Sequence, residues 1–377
     1  MDAATSTVDV TMARERLERL RQLTDAAGVA AVVVSPGSDL RYLIGIGGSS
    51  FERLTALVVP ADPALPPHFV VPRLEYAGLG EVPFGELGIE VRPWVDGENA
   101  HALALAGLPR GPLAFSDATT ALHLFQLRDA GATEQRPAWP IVRELRMRKT
   151  AAELAELRAA GAAIDRVHAR MAEWLRPGRT EREVGDDIAA AVVEEGHSAA
   201  EFVIVGSGPN GSSPHHGVSD RVIQRGDVVV VDIGGPLPSG YCSDSTRTYA
   251  AGPASLPDVP SAYAALQASQ QAAVDAVRPG VTCQEIDRAA RRVLDEAGLG
   301  EHFIHRTGHG IGLDVHEQPY IVEGNDLPLE PGMTFSVEPC IVFPGRWGAR
   351  IEDIVAVTED GVESFNQRPR ELIVLAD

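Results

Sequence analysis

One motif occurs twice in the second half of this chain, and it constrains the architecture more than any other feature. RPGRTEREV at 176–184 recurs as RPGVTCQEI at 278–286, an offset of 102 residues (278 against 176). In both copies Pro-Gly breaks a preceding helix, a threonine follows (Thr180, Thr282), and a glutamate lies three residues later (Glu183, Glu285). Threonine and glutamate at that spacing form a capping box, each side chain satisfying an orphan amide at a helix start. Both predicted helices run about four turns and close on glycine, in EEGH at 194–197 and DEAGLG at 295–300, where a left-handed cap suits that residue. A longer helix precedes each Pro-Gly and strands follow. The spacing predicts two related helix–helix–sheet units, packed strand to strand about a pseudo-two-fold axis.

The first half follows a different pattern. Met12, Leu17, Leu20 and Leu23 recur at helical spacing and predict a surface helix from Val10 to Gly28. Short apolar runs come next at 30–35, 55–60, 68–72 and 112–116, separated by turn residues or helical stretches. Strands alternating with helices indicate an α/β domain. A charged helical stretch, IVRELRMRKTAAELAELRAAGAAID, then leads into the second half, placing the boundary near 140–150. At 377 residues the chain is long enough for two cores. It divides into an α/β domain over 1–145 and an α+β domain over 146–377.

Charge and cysteine usage exclude several function classes. A formal charge of −20 argues against nucleic acid and anionic membrane as partners, since both would repel it. Three widely spaced cysteines (Cys242, Cys283, Cys340) form neither a disulfide framework nor a thiolate metal site, and they fit a reducing compartment. The N-terminus lacks the pattern of a secretory leader. No run approaches the ~18 apolar residues that span a bilayer. The expected location is cytoplasmic.

Chemistry concentrates in five residues of the second half: Asp232, Asp244, His309, Glu338 and Glu352. They sit in VVVVDIGG, GYCSDSTRT, HRTGHGIG, FSVEP and ARIEDIVAV. Singly, an aspartate or glutamate beside a strand is most often a surface carboxylate. Asp232 and Glu338, however, end apolar runs, where an unpaired buried charge is strongly unfavourable. Four carboxylates would neutralise two divalent cations, and one imidazole adds a borderline-soft nitrogen. That mixture suits Mn²⁺, Co²⁺, Fe²⁺ or Zn²⁺. Two such ions roughly 3.5–4 Å apart can activate water for hydrolysis. Asp232 and Asp244 belong to the first repeat and the other three to the second, so the cations would bridge the halves.

The segments VVDIGG…GYCSDSTRTY, GHGIGLDVHE, VEP and RIED resemble the pita-bread metallopeptidases, which include prolidase, aminopeptidase P and methionine aminopeptidase. The resemblance covers the whole chain, because the first half, with YLIGIGGSSFER, looks like the creatinase-type N-terminal domain. It implies that Asp232 and Asp244 hold one metal, that His309 and Glu338 complete the second, and that Glu352 bridges both. The Asp232–Asp244 spacing of twelve is one more than in relatives, an extra residue that the LPSG turn can absorb. Glu338 is implied as proton shuttle, His215 as a substrate-side histidine (with His216 the weaker candidate), and His316 as a donor to the scissile carbonyl. His305 matches a further pocket histidine. Arg350, two residues before Glu352, shares its face in an extended strand. It can pair with a ligand carboxylate or receive a substrate carboxylate.

The resemblance implies an Xaa-Pro dipeptidase carrying two divalent metal ions, manganese first, and forming a homodimer. A proline-containing dipeptide or peptide is the expected partner, and the alternative is an Xaa-Pro aminopeptidase acting on longer peptides. A non-catalytic binding protein on this fold would have lost ligands. Two departures bear on the substrate. Tyr320 stands where many prolidases have an arginine, and EPCIV, with Cys340 and Val342, replaces EPGIY.

Overall fold

The computed structural model describes residues 9–79 and 82–375. Residues 1–8, on which part of the leader reading falls, lie outside the described residues. The chain separates into two compact units, Met1–Arg146 and Met147–Asp377. Among the described residues no helix is long and apolar enough to cross a membrane.

The first unit is built on a six-stranded sheet. Its strands are β1 (Ala31–Val34), β2 (Ala56–Pro60), β3 (His68–Pro72), β4 (Glu90–Trp94), β5 (Leu113–Phe115) and β6 (Gln135–Pro137), in the order β4-β3-β2-β1-β5-β6. β1 pairs antiparallel with β2 and parallel with β5. Every residue of β1, β2 and β3 is buried, as continuous apolar runs require when both faces are covered. The four apolar runs became β1, β2, β3 and β5. The sequence did not announce β4 and β6, for a physical reason: both are edge strands, EVRPW and QRP, largely unburied and each carrying proline. The first helix spans Val10–Ala26, with Asp9 accepting from the Met12 amide.

The charged stretch expected to be one helix is two, Trp139–Arg146 and Ala151–Ala169. Thr150 and Glu153 form a capping box that starts the second afresh. Between them Lys149 donates its amide to the Gly332 carbonyl at 2.9 Å.

The second unit repeats itself down to individual hydrogen bonds. Helices Glu181–Glu194 and Cys283–Glu296 both have 14 residues and both start in a capping box, at Thr180 and Thr282. They also end alike: His197 donates its amide to Val192 as Leu299 does to Leu294. Gly178 and Ile223 exchange bonds with the Arg179 turn as Gly280 and Leu329 do with the Val281 turn.

The strands follow suit. They are β7 (Phe202–Ser207), β8 (Val228–Pro236), β9 (Cys242–Ala251), β10 (Gly308–Gly310), β11 (Glu317–Ile321), β12 (Thr334–Val337), β13 (Cys340–Phe343), β14 (Trp347–Arg350), β15 (Asp353–Val357), β16 (Val362–Ser364) and β17 (Ile373–Leu375). They form sheets β17-β9-β8-β7 and β11-β10-β12-β15-β16, with β13 and β14 paired separately. β8 faces β9 with Val228 opposite Ala250 and Val231 opposite Arg247. β12 faces β15 with Thr334 opposite Ala356 and Val337 opposite Asp353, the same register displaced by 106 residues (334 against 228). Glu338 therefore occupies the place of Asp232, and Glu352 that of Thr246. The equivalent residues Thr246 and Glu352 bridge each other where the halves meet.

Alternation along the strands separates core from site. Val229, Val231 and Ile233 enter one apolar cluster with Ile164, Val184, Ile188 and Tyr249. Asp232 consequently faces the other way. Phe335 and Val337 enter another cluster with Leu266, Ile286 and Trp347, leaving Ser336 and Glu338 on the site face.

Candidate metal centre

Asp232 and Thr246 are directly opposite in the β8–β9 ladder, and Gly234 is opposite Asp244. Cross-strand partners and i, i+2 neighbours share a face, so Asp232, Asp244 and Thr246 point to one side. From the other half, Glu338 follows β12, Glu352 lies between β14 and β15, and His309 is the middle residue of β10. Asp232, Asp244, His309 and Glu352 are each 6% exposed or less.

The five side chains converge. One oxygen each from Asp232, Asp244 and Glu352 lie within 4.8 Å of one another, and donor atoms of His309, Glu338 and Glu352 do likewise. His309 Nε2 is 3.3 Å from Glu338 Oε1, 3.5 Å from Asp244 Oδ2 and 4.0 Å from Glu352 Oε1. His309 Nδ1 lies 3.1 Å from the Gly310 carbonyl, which can only accept. Nδ1 therefore bears the hydrogen, and the Nε2 lone pair faces the acids.

Glycines make room for this strand. A Cβ on Gly308 would sit 1.8 Å from the Ser336 carbonyl oxygen, and one on Gly310 would sit 2.2 Å from that of Gln318.

Such crowding of acids shows in their proton affinities. Burial, then the charges of Glu352, Asp232 and Glu338, raise the Asp244 pKa well above the usual carboxylate value. Burial and the charges of Glu338 and Asp232 do the same to Glu352. Burial pushes Glu338 up to about 7, with Arg350 opposing. Burial and the neighbouring His316 lower His309 to about 3.

Arg350 lies against these groups. Its Nη2 donates to Asp232 Oδ2, its Nε donates to Thr246 Oγ1 at 3.0 Å, and the Pro214 carbonyl is 3.5 Å from both terminal nitrogens. Of the two contacts open to it, the guanidinium makes the one to a carboxylate of the cluster. Thr246, which the sequence reading passed over, also donates to Glu352 Oε2 at 2.7 Å. Its signal was available: two residues beyond Asp244, it shares that residue's face.

The histidines differ in surroundings. His316 packs edge-on against His309, ring centroids 4.1 Å apart, and brings a nitrogen within reach of Asp244 and His309. His305 is half-buried with its Nδ1 2.6 Å from the Arg306 carbonyl, while its buried Nε2 has no hydrogen-bond partner. His215 is exposed, on the segment that follows Asn210. His216 is tied instead to Glu181, its Nε2 2.8 Å from Oε2. Tyr320 is opposite His309 in the β10–β11 ladder, and the Arg306 guanidinium lies over its ring.

The donors fit a pair of divalent cations. Asp232 Oδ1 and Glu352 Oε1 are buried without a hydrogen-bond partner, although buried carboxylate oxygens are ordinarily satisfied. Oxygens left bare beside an imidazole lone pair are what a coordinated ion would complete.

This arrangement defines a metallopeptidase of the pita-bread type, and the chain belongs to metallopeptidase family M24, whose model matches residues 155–359. Residues 16–148 match the creatinase/prolidase N-terminal domain. Among solved structures, dipeptidase PepE from Mycobacterium ulcerans superimposes with a TM-score of 0.94 at 57% identity, covering 98% of this chain and 100% of that one. Prolidase from Thermococcus sibiricus gives 0.89 at 35% identity, covering 98% and 100%. The Xaa-Pro dipeptidase of Lactobacillus helveticus is 34% identical over 370 residues, 95% of this chain and 98% of that protein.

Proposed function

We propose that this chain is a metal-dependent Xaa-Pro dipeptidase. The observation carrying the reading is the convergence of four acids and one imidazole from both halves of the repeat, with two buried carboxylate oxygens left bare. The similar proteins from Mycobacterium ulcerans and Thermococcus sibiricus, a dipeptidase and a prolidase, point the same way. Asp232, Asp244, His309, Glu338 and Glu352 would hold two divalent cations, manganese first, with cobalt, iron or zinc also suited to these donors. When bound, such a pair supplies Lewis acidity and a water acidic enough to attack near neutral pH.

The protein's own groups do the rest. Glu338, whose carboxylate lies beside the His309 imidazole at the centre of the cluster, would take a proton from the attacking water and pass it to the departing nitrogen, the role that the family resemblance implies. His316, packed edge-on against His309, would donate to the scissile carbonyl as charge develops there. His215 and His305, whose buried Nε2 has no hydrogen-bond partner, would serve on the substrate side, as the family resemblance implies. Arg350 holds the Asp232 carboxylate in place through its Nη2 hydrogen bond to Oδ2. An Xaa-Pro bond has no amide hydrogen, so recognition through the scissile N–H is impossible, and the carbonyl and free amine must serve instead.

The three cysteines are buried and unpaired, which supports the cytoplasm as the place of action; the homodimer rests on the family resemblance. Asp244→Asn tests the function. Hydrolysis of Ala-Pro should fall to background while circular dichroism and the melting temperature stay those of a folded protein. Near-normal turnover by that variant refutes the assignment.

A further inference from the structure

Among the described residues, Arg350, Arg291 and Arg306 lie near the donor cluster and its histidines, and the first two are already engaged. Arg350 serves Asp232, Thr246 and the Pro214 carbonyl. Arg291 donates to Asp287 and to the carbonyls of Phe303 and His305. Arg306 differs. Among the described residues, its guanidinium makes no hydrogen bond or ion pair; it lies over the Tyr320 ring, 4.3 Å from the centroid. The residue is half-buried. Its charge is felt at His309, His316 and Glu338, which sets it beside the cluster.

A guanidinium carries five N–H donors in a planar fork that matches a carboxylate in two parallel bonds. Stacked on an aromatic face, it keeps its edge free for an anion. The seat is rigid. Tyr320 is opposite His309 across the β10–β11 ladder, and the Asn325 Nδ2 donates to its carbonyl at 2.6 Å. The distance from seat to donor cluster is therefore set by sheet register.

We infer that Arg306, seated on Tyr320, receives the free α-carboxylate of a dipeptide's C-terminal residue and so selects dipeptides over longer chains. The inference rests on the dipeptidase reading and deepens it. In a dipeptide the carboxylate carbon is two bonds from the scissile nitrogen, so it must enter a site walled by four acids in a chain of net charge −20. An anion there needs a cation close by. A longer peptide presents an uncharged amide at that position and gains less from the same arginine. Tyr320 carries no charge of its own. The structure brings one to its face from a residue fourteen positions earlier.

The test compares the manganese-loaded wild type with Arg306→Met, which preserves a flexible apolar stem over the Tyr320 ring. Substrates are Ala-Pro and its C-terminal amide. On Ala-Pro the variant should lose about 10- to 100-fold in kcat/KM, mostly through KM, as expected for a charge-assisted hydrogen-bonded pair. The amide should change less than about threefold. Arg306→Lys, with charge but no fork, should fall between. Titration with proline and prolinamide gives a readout without turnover: the wild type should prefer the acid and Arg306→Met should not. A variant that keeps the acid preference, or loses acid and amide equally, overturns the inference. A wild type that hydrolyses no Xaa-Pro dipeptide sinks the functional reading instead, while the proline titration still judges Arg306.

Discussion

At His309 steric constraint precedes chemistry. The imidazole can reach three carboxylates only because β10 lies hard against its neighbours, with glycine on either side of the histidine. Gly308→Ala would thrust a methyl into the Ser336 carbonyl oxygen, a backbone atom that cannot rotate away. The expected cost is about 1–3 kcal/mol at the upper end of overpacking, read as a lower melting temperature, with metal stoichiometry reduced as the ring is displaced. Unchanged metal content and stability would contradict the geometry. At this scale the sequence was informative about kinds of residue and silent about partners. GHG is visible, but the carbonyl that forbids a Cβ comes from Ser336, 28 positions away. Arg350 was legible because it shares a face with Glu352 at i, i+2. Arg306 was not, because nothing local says that its guanidinium will find Tyr320 and no anion.

At the scale of elements, the repeat was readable because a capping box is local. Threonine, glutamate and a following glycine announce a helix without knowledge of its surroundings, and both copies fold as their sequences direct. What the repeat carries between its helix and its strands was hidden. Glu181, the first residue of its helix, is fully buried. It accepts from the Ser207 amide and hydroxyl, Asn210, Ser219 and His216 at 2.5–3.1 Å. Burial opposes ionisation there, but these donors outweigh it and hold the pKa below its usual value. The carboxylate thus gathers the segment 207–219 that bears His215. Glu181→Ala should destabilise the fold by about 3–5 kcal/mol, the range for stripping one partner from a buried charged network. Glu181→Gln, which keeps the shape, should cost less. Chemical denaturation distinguishes them, and equal stability of all three proteins would show that the network is not anchoring this loop. Sequence reading placed His215 and His216 side by side. Only the fold shows that one is spent on Glu181 and the other left exposed.

For the whole molecule, the two halves of the repeat meet at a concentration of like charge, and that makes stability depend on metal and pH together. In the empty cluster Asp244, Glu352 and Glu338 all have raised pKa values, Glu338 to about 7 from its usual 4.5. A carboxyl raised in the folded state takes up a proton on folding. Its contribution is complete below the unfolded value and is lost as pH rises through the folded one. The metal-free protein should therefore lose stability through these groups as pH climbs from about 5 to 8. His309 has the opposite sign. Lowered to about 3 from 6.5, it stabilises fully above 6.5 and loses that contribution only as pH falls. It cannot mask the loss on the alkaline side. Bound cations reverse the carboxylate effect, because ionised acids then have partners and protons compete with metal for the same oxygens. The gap in melting temperature between manganese-loaded and chelator-treated protein should widen steadily from pH 5 to pH 8. Scanning calorimetry on both forms across that range measures it. A gap that stays constant would mean that these acids do not share one cation-binding cluster in solution.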